Sequence, residues 1–345
     1  MSTMRQAVIV APDRCELQTA PRPELLGEGE VLLRTLACGI CSGDLMPWYL
    51  ARKVGTVFGH EPVGRAVAVG ASVSHLRVGD LVFVHHHAPC QDCEECRRGA
   101  PVHCAAWKSS KLDPGGMAEY LRVPAGIVAR DCFAVNDLHP EQALFIEPIG
   151  CCVKALERIG GTAAVAGKRV VVVGCGIMGL LNLLTARAYG AGELLAVEPD
   201  ATRRARAVQC GAADALTPEQ AQTRLRHWAD VVIIGPGFPS VIRQALSYVR
   251  PAGVASLFTP TATGVLTELD LGELYFREVS LIPSYSCGPD DTRRAYELIR
   301  TGAVQPQLLI THRFRLEQMP TAFDTARAGG PAIKVVVLFD SESVP

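Results

Sequence analysis

The stretch RVVVVGCGIMG, residues 169–179, constrains the fold of this chain more than any other. Four valines run into Gly174, Gly176 and Gly179, spaced G-x-G-x-x-G, and an apolar helical pattern, IMGLLNLLTARAYGA, follows at once. The same order then repeats: ELLAVEPD precedes ATRRARAVQCGA, and ADVVIIGPG precedes SVIRQALSYVRPAG and VASLFTP. Such alternation of short β runs with helices predicts a parallel sheet covered by helices on both faces. Within the turn, the first glycine permits the tight reversal and the second lets backbone approach a pyrophosphate. The third allows the helix to pack close to the strand. The first helical turn, with Ile177 and Met178, offers unpaired N–H groups and the positive end of the helix dipole to phosphate. Glu198 ends the next β run, where a carboxylate accepts ribose hydroxyls; the set predicts a dinucleotide site. A solvent-facing strand-end acid is the plainer alternative. A carboxylate there repels a 2′-phosphate, so NAD is expected over NADP, although Arg203 and Arg204 offset part of that repulsion.

Before about residue 150 the texture differs. AVIV, EVLLRTLACG, GRAVAVG and DLVFV are short, apolar and separated by Gly, Pro and Asp, as in a β-rich domain with many turns. Beyond 288 a helical DTRRAYELIRTG and two β runs, THRFRL and AIKVVVLF, return to mixed texture and are free to rejoin that first domain. With 345 residues, two domains are expected. A net charge of −1 argues against nucleic-acid binding. No apolar run reaches a membrane span, and MSTMRQAVIVAPD has no secretory pattern, so the expected location is cytoplasmic.

Thirteen cysteines in a reducing compartment point to metal or chemistry rather than disulfides. PCQDCEECRRGAPVHC brings Cys90, Cys93, Cys96 and Cys104 together from one short segment. Four thiolates make a closed tetrahedral shell, which reads as structural zinc; iron–sulfur ligation is the alternative. His103 falls beside this shell or on the surface. A second, open site is suggested by CGICSGD and GHEPVG, where Cys41 and His60 are suitable ligands for a metal that keeps a free position. Glu147 in LFIEPIG, at the seam between the two textures, is the candidate third ligand.

Taken together, CGICSGD, GHEPVG, GDLVFV, the four-cysteine lobe, GGMAEY, IEPIG, GxGxxG and IKVVV make the chain resemble the zinc-containing medium-chain dehydrogenase/reductase superfamily. The branch it looks like is that of sorbitol, threonine and related polyol dehydrogenases, over essentially the whole length. The resemblance implies an α/β protein: a GroES-like β-rich catalytic domain from residues 1–149 and 288–345, with a zinc lobe at 88–105, and a doubly wound Rossmann domain at 150–287. It also implies two zinc ions per chain, one catalytic and one structural, and a cleft between the domains that holds zinc and nicotinamide. By position, Cys41, His60 and Glu147 match the catalytic zinc residues. Glu61 matches either a direct ligand or a partner behind the ligands, and Asp44 the acid that orients the site. A homodimer or homotetramer acting on a small polar alcohol or ketone is expected, with no nucleic-acid or membrane partner.

One position departs from the family pattern. Many relatives carry Ser or Thr two residues after the cysteine ligand, where its hydroxyl starts a proton relay; here Gly43 stands there and the hydroxyl is on Ser42. His87, three residues before Cys90, is a candidate for the pocket; the run of three otherwise reads as a polar loop or as accidental metal binding, and His85 and His86 are left unassigned. Lys334 matches a basic residue near the cofactor in relatives, but an exposed strand lysine explains it equally. The other cysteines, including Cys38, Cys151, Cys152 and Cys175, read as packing. Trp48, Tyr49, His87 and Tyr285 are the candidates to line a pocket for a sugar, cyclitol or aminated sugar. Two rival classes find little support: a non-catalytic binding protein would have lost its open-site residues, and a nucleic-acid ribbon would carry basic flanks with aromatics.

Overall fold

A computed structural model describes residues 2–339. Met1 and residues 340–345, the end of the expected C-terminal segment, lie outside the described residues. The chain divides into two compact units, Met1–Glu147 with Gly288–Arg300 and Gln305–Pro345, and Pro148–Cys287 with Thr301–Val304.

In chain order the first unit contributes β1 (Thr3–Ala11), β2 (Arg14–Pro21), β3 (Val31–Gly39), β4 (Glu61–Val69), β5 (Leu81–Val84), β6 (Tyr120–Val123) and β7 (Cys132–Ala134). The second supplies β8 (Arg169–Val173), β9 (Glu193–Val197), β10 (Asp214–Leu216), β11 (Ala229–Ile234), β12 (Val249–Leu257) and β13 (Ser280–Pro283). Two last strands, β14 (Ile310–Arg315) and β15 (Lys334–Leu338), belong to the first unit again.

Strands β1 and β2 pair with each other. The main sheet of the first unit runs β14-β15-β3-β4-β5-β7, with β6 also pairing to β3. Its centre positions the chemistry. Antiparallel β15 sets Val337 opposite Cys38, and β4, on the other side of β3, sets Glu61 opposite Gly39. The end of β3, the start of β4 and the start of β15 therefore converge, although the last two lie far apart in sequence. Cys38, Ile40, Leu50, Phe58 and Met117 pack beneath them with Phe323, Val335 and Val337. Phe58 meets Phe323 edge-on at 5.5 Å, which fastens the loop before His60 to the helix Met319–Ala328 and contributes about 1 kcal/mol beyond area burial.

The second unit is a six-stranded parallel sheet in the order β10-β9-β8-β11-β12-β13. Val170–Val173 are all buried, as expected of a strand covered on both faces. The chain runs from β8 outward through β9 and β10, then returns to lay β11 on the other side of β8, so the order reverses beside β8. The crevice at such a reversal, outside the carboxyl ends of the strands, is where doubly wound sheets take nucleotides. The glycine turn follows β8 and Glu198 follows β9, both at that edge. Three features escape sequence reading: β10 is too short to show periodicity, β13 is a minimal edge strand, and Glu147 opens the 13-residue helix Ile146–Arg158.

Candidate metal centres and dinucleotide site

The lobe between residues 90 and 104 has almost no core of its own: only Val102, Cys104 and Trp107 are buried together. Its four sulfurs nevertheless converge. Cys104 lies 3.5 Å from Cys90, Cys93 3.6 Å from Cys96, and Cys90 4.0 Å from Cys96. A tetrahedral zinc with bonds of about 2.3 Å sets its sulfurs about 3.8 Å apart, so the four cysteines fit that ion. Backbone N–H groups of Asp92 and Cys93 donate to Cys90 Sγ at 3.4 and 3.3 Å, as they do to thiolates. Burial raises the Cys104 thiol, but N–H groups of Cys90 and Trp107 outweigh it and bring it down to about 6. His103 is exposed.

The open site forms where the strands converge. One ligand atom each of Cys41, His60 and Glu61 lies within 4.8 Å of the others. Cys41 follows β3 directly, and the N–H of Gly43 points back to its sulfur at 3.4 Å. Asp44 is buried, with Oδ2 2.8 Å from His60 Nδ1, and so orients that imidazole with its other nitrogen free for a ligand role. Burial opposes charge on His60, but the Asp44 carboxylate and the Cys41 sulfur prevail and hold its pKa well above the ordinary value. Sulfur, nitrogen and carboxylate oxygen with one position left open are the donor set of a catalytic zinc, and the residues fit it.

Lys334 corrects the exposed-lysine reading. It is 1% exposed, and its Nζ pairs with Glu61 Oε2 and donates to Ile40 O at 3.3 Å. Gly39 makes room for the pair: a Cβ there would collide with Glu61 Oε2 and lie 2.7 Å from Lys334 Cε. Glu61 is thereby held by one oxygen, while Oε1 is buried and takes no hydrogen bond.

Glu147 does not group with Cys41. It is buried in the first turn of its helix, and its carboxylate falls with His85 and His86, one ligand atom of each within 4.8 Å. The polar-loop reading of those histidines also fails. His85 is fully buried on Asp131, and His86 sits in a row of rings, 4.7 Å from His60 and 4.3 Å from His87. His87 in turn tilts over Trp107 at 4.3 Å, and its Nδ1 lies 2.6 Å from Ser110 O. Burial drives His87 down to about 4, so it is neutral at pH 7 with its second nitrogen able to accept. Ser42 is exposed and its side chain makes no capping bond. Trp48 stands at the surface, Tyr49 is half-buried beside it, and Tyr285 of the second unit is exposed. The one sequence signal for His86 and His85 was the histidine run itself; nothing local announced that Lys334 is buried on Glu61.

In the second unit, Gly174 takes φ 86°, and a Cβ on Gly179 would collide with Gly174 O. Each requires glycine. A Cβ on Gly176 would meet nothing within 4 Å, which leaves open space at the first amides of the helix Ile177–Ala188. That is a cradle of the kind a pyrophosphate fills. Glu198 is buried rather than solvent-facing: Oε2 accepts from Cys175 N at 2.7 Å and Oε1 from Asp200 N at 3.1 Å. Arg204 is tied to the carbonyls of Glu198 and Pro199 at 2.8 and 2.6 Å, whereas Arg203 uses its amide to cap on Asp200.

Residues 27–133 match the alcohol dehydrogenase GroES-like domain family, and residues 178–301 match the zinc-binding dehydrogenase family. A sorbitol dehydrogenase of Bombyx mori is 30% identical over 96% of this chain and 97% of its own length. The chain belongs to the zinc-containing medium-chain dehydrogenase/reductase superfamily. An L-threonine 3-dehydrogenase of Pyrococcus horikoshii is 31% identical over 90% of each chain. The solved structure of an alcohol dehydrogenase from Thermus sp. ATN1 superposes with a TM-score of 0.87 at 26% identity, covering 98% of this chain and all of that one. Membership of the superfamily makes the protein an oxidoreductase of CH–OH groups, with zinc and a nicotinamide dinucleotide as cofactors. No helix among the described residues is long and apolar enough to cross a membrane.

Proposed function

We propose that this medium-chain dehydrogenase interconverts a secondary alcohol and ketone of a polyol, sugar, aminocyclitol or amino sugar, with NAD as the partner of the reaction. The cluster of Cys41, His60 and Glu61, buttressed by Asp44 and Lys334, carries the reading. These three side chains would hold the catalytic zinc, with Glu147 as a further carboxylate, and the four cysteines would hold a second, structural ion. When bound, zinc supplies Lewis-acid polarisation of the substrate oxygen and the nicotinamide accepts hydride. The chain's own share is to hold the ligands in place and to move a proton. Asp44 fixes the His60 ring, Lys334 fixes Glu61, and the amide of Gly43 supports the Cys41 sulfur. The relatives act on a polyol and on an amino alcohol, which supports a polar, multiply hydroxylated substrate. An amino-alcohol dehydrogenase, or a ketone reductase running in reverse, is the second reading. Screening polyols, amino sugars and 3-hydroxy amino acids by NADH absorbance tests both; turnover of simple primary alcohols alone would defeat them.

Glu198 supports NAD. Two N–H donors hold the buried carboxylate at the carboxyl edge of the sheet, where it still has lone pairs for ribose hydroxyls. Glu198→Ala is expected to weaken NAD binding by about 1–2 kcal/mol and to relax the bias against NADP. Glu198→Gln separates charge from the support of the glycine turn. Measured dissociation constants that favour NADP in the unaltered protein would shift the assignment to Arg203.

Proton transfer falls to His87 and water beside Glu61 and Glu147 rather than to Ser42. Ser42→Ala is expected to stay within about threefold of the parent turnover. His87→Asn should lose about 10²-fold while it keeps its zinc, since positioned acid–base groups contribute about 10²–10⁴. Steady-state rates with zinc analysis decide the matter, and the reverse pattern would reinstate the hydroxyl.

A homodimer or homotetramer is part of the same proposal, and an open sheet edge with exposed apolar side chains supports it. Strand β13 is the open edge of its sheet, and Leu271, Tyr275 and Phe276 of the preceding helix are exposed. Free cysteines throughout fit a reducing, cytoplasmic setting.

A further inference from the structure

The sulfurs of the four-cysteine lobe and of Cys41 serve the two metal positions; a further pair of thiols converges in the second unit. We propose that Cys151 and Cys287 form a reversible thiol–disulfide pair that responds to small disulfides of the glutathione class and, when closed, slows the enzyme.

The two cysteines stand at opposite ends of one stretch of chain. The second unit begins at Pro148, and its long segment ends at Cys287. The two Sγ atoms nevertheless lie within 4.8 Å of each other. Bonded sulfurs sit about 2.0 Å apart, a gap that side-chain rotation with a small backbone shift covers.

Their settings differ as those of an attacking and a resolving cysteine do. Cys151 is partly exposed, whereas Cys287 is fully buried. Backbone on either side fixes Cys287. Ser286 holds φ 55°, and Gly288 N–H donates to Asp291 Oδ2 at 2.7 Å where the helix Pro289–Arg300 begins. The Cys151 thiolate attacks one sulfur of the small disulfide and releases one thiol. The Cys287 sulfur then attacks the Cys151 sulfur of the mixed disulfide and releases the second. The protein gives up two electrons and two protons, which leave on the two thiols. A dithiol reverses both steps, so a reducing compartment keeps the pair open until its poise shifts.

Closure has two consequences. The ring from 151 to 287 encloses β8 to β13, so it restricts the unfolded chain of the whole parallel sheet. Cys151 also lies one turn beyond Glu147 in the helix Ile146–Arg158, and residues at i and i+4 share a face. Drawing Cys151 toward Cys287 therefore displaces the Glu147 carboxylate; the effect on rate rests on the proposed place of Glu147 at the catalytic metal.

The test is incubation of the full-length protein, as purified with its zinc, in oxidised glutathione, followed by alkylation, digestion without reductant and peptide mass mapping. Melting temperature, zinc content and alcohol-dependent NADH formation are followed on the same samples. A Cys151–Cys287 linked peptide should appear, and the melting temperature should rise by roughly 5–10 °C. Turnover should fall about tenfold or more with zinc retained, and dithiothreitol should reverse every change. Cys151→Ser and Cys287→Ser should keep their rate and melting temperature in the same buffer. Uptake of glutathione at other cysteines without the linked peptide overturns the proposal, as does linkage with unchanged turnover; neither result depends on a variant folding. A rate loss that persists in Cys287→Ser and comes with release of zinc overturns it as well, because the oxidation then falls on the metal ligands. Glu147→Gln tests the catalytic reading by itself: unchanged turnover there would remove Glu147 from the metal, while the linked peptide and the melting shift report on the cysteines alone.

Discussion

Cys41→Ala is expected to lower turnover by about three orders of magnitude or more, in a protein that still folds and still binds NAD. Lewis-acid polarisation is worth several kcal/mol of barrier, and each 1.4 kcal/mol is tenfold in rate. Losing the thiolate leaves His60 and Glu61, and Glu61 already shares an oxygen with Lys334. Two ligands, one of them engaged, hold zinc poorly. Folding is spared because the side chain sits past the end of β3, while Cys38 and Ile40 carry the packing beneath. The NAD contacts proposed here lie wholly in the other unit. Zinc content, NADH-linked rates and NAD titration on the same preparation give the answer. Zinc falling by about one ion per chain, with rate lost and NAD affinity kept, is the expected combination. Retained activity would remove Cys41 from the site.

How much of this was written in the sequence depends on the range of the interactions involved. The α/β class was legible because valine runs, glycine turns and helical patterns are local, and so was the meeting of the four cysteines, since one short segment carries them all. Lys334 was not. Its strand reads IKVVV, an edge-like run with a polar end, and only the pairing of β15 with β3 turns that end inward onto Glu61. The histidine run deceived for a similar reason. His85 looks solvated beside two other histidines, but Asp131 and Thr292, distant in sequence, bury and satisfy it. Glu147 was picked out by its place near a change of texture, and its helix brings it to His85 and His86 rather than into the triple with Cys41. Charged groups buried by long-range pairing leave no periodic trace; they are readable only after the strands are in register.

The second large effect is expected from the cysteine lobe, and it is one of stability. Cys93→Ser should lower the melting temperature and the folding yield sharply, with loss of one zinc, while Cys132→Ala serves as control. Cys132 is a buried free cysteine in a well-filled cluster with Val82, Leu121 and Ile127, and its truncation should cost about 1–2 kcal/mol. The lobe has no comparable reserve. Three buried residues cannot order a segment of this length, so metal binding is the folding free energy of the lobe. With one ligand gone, several kcal/mol should be lost, a large fraction of the 5–15 kcal/mol typical of a domain. The damage should also reach catalysis, because Trp107 supports the His87 ring at 4.3 Å and Arg130 is anchored on Cys90 O at 3.2 Å. A folded remnant of Cys93→Ser should thus turn over slowly even with its catalytic zinc in place, whereas Cys132→Ala should keep the parent rate. Equal melting temperatures and equal zinc contents for the two variants would mean that the lobe stands without its ion.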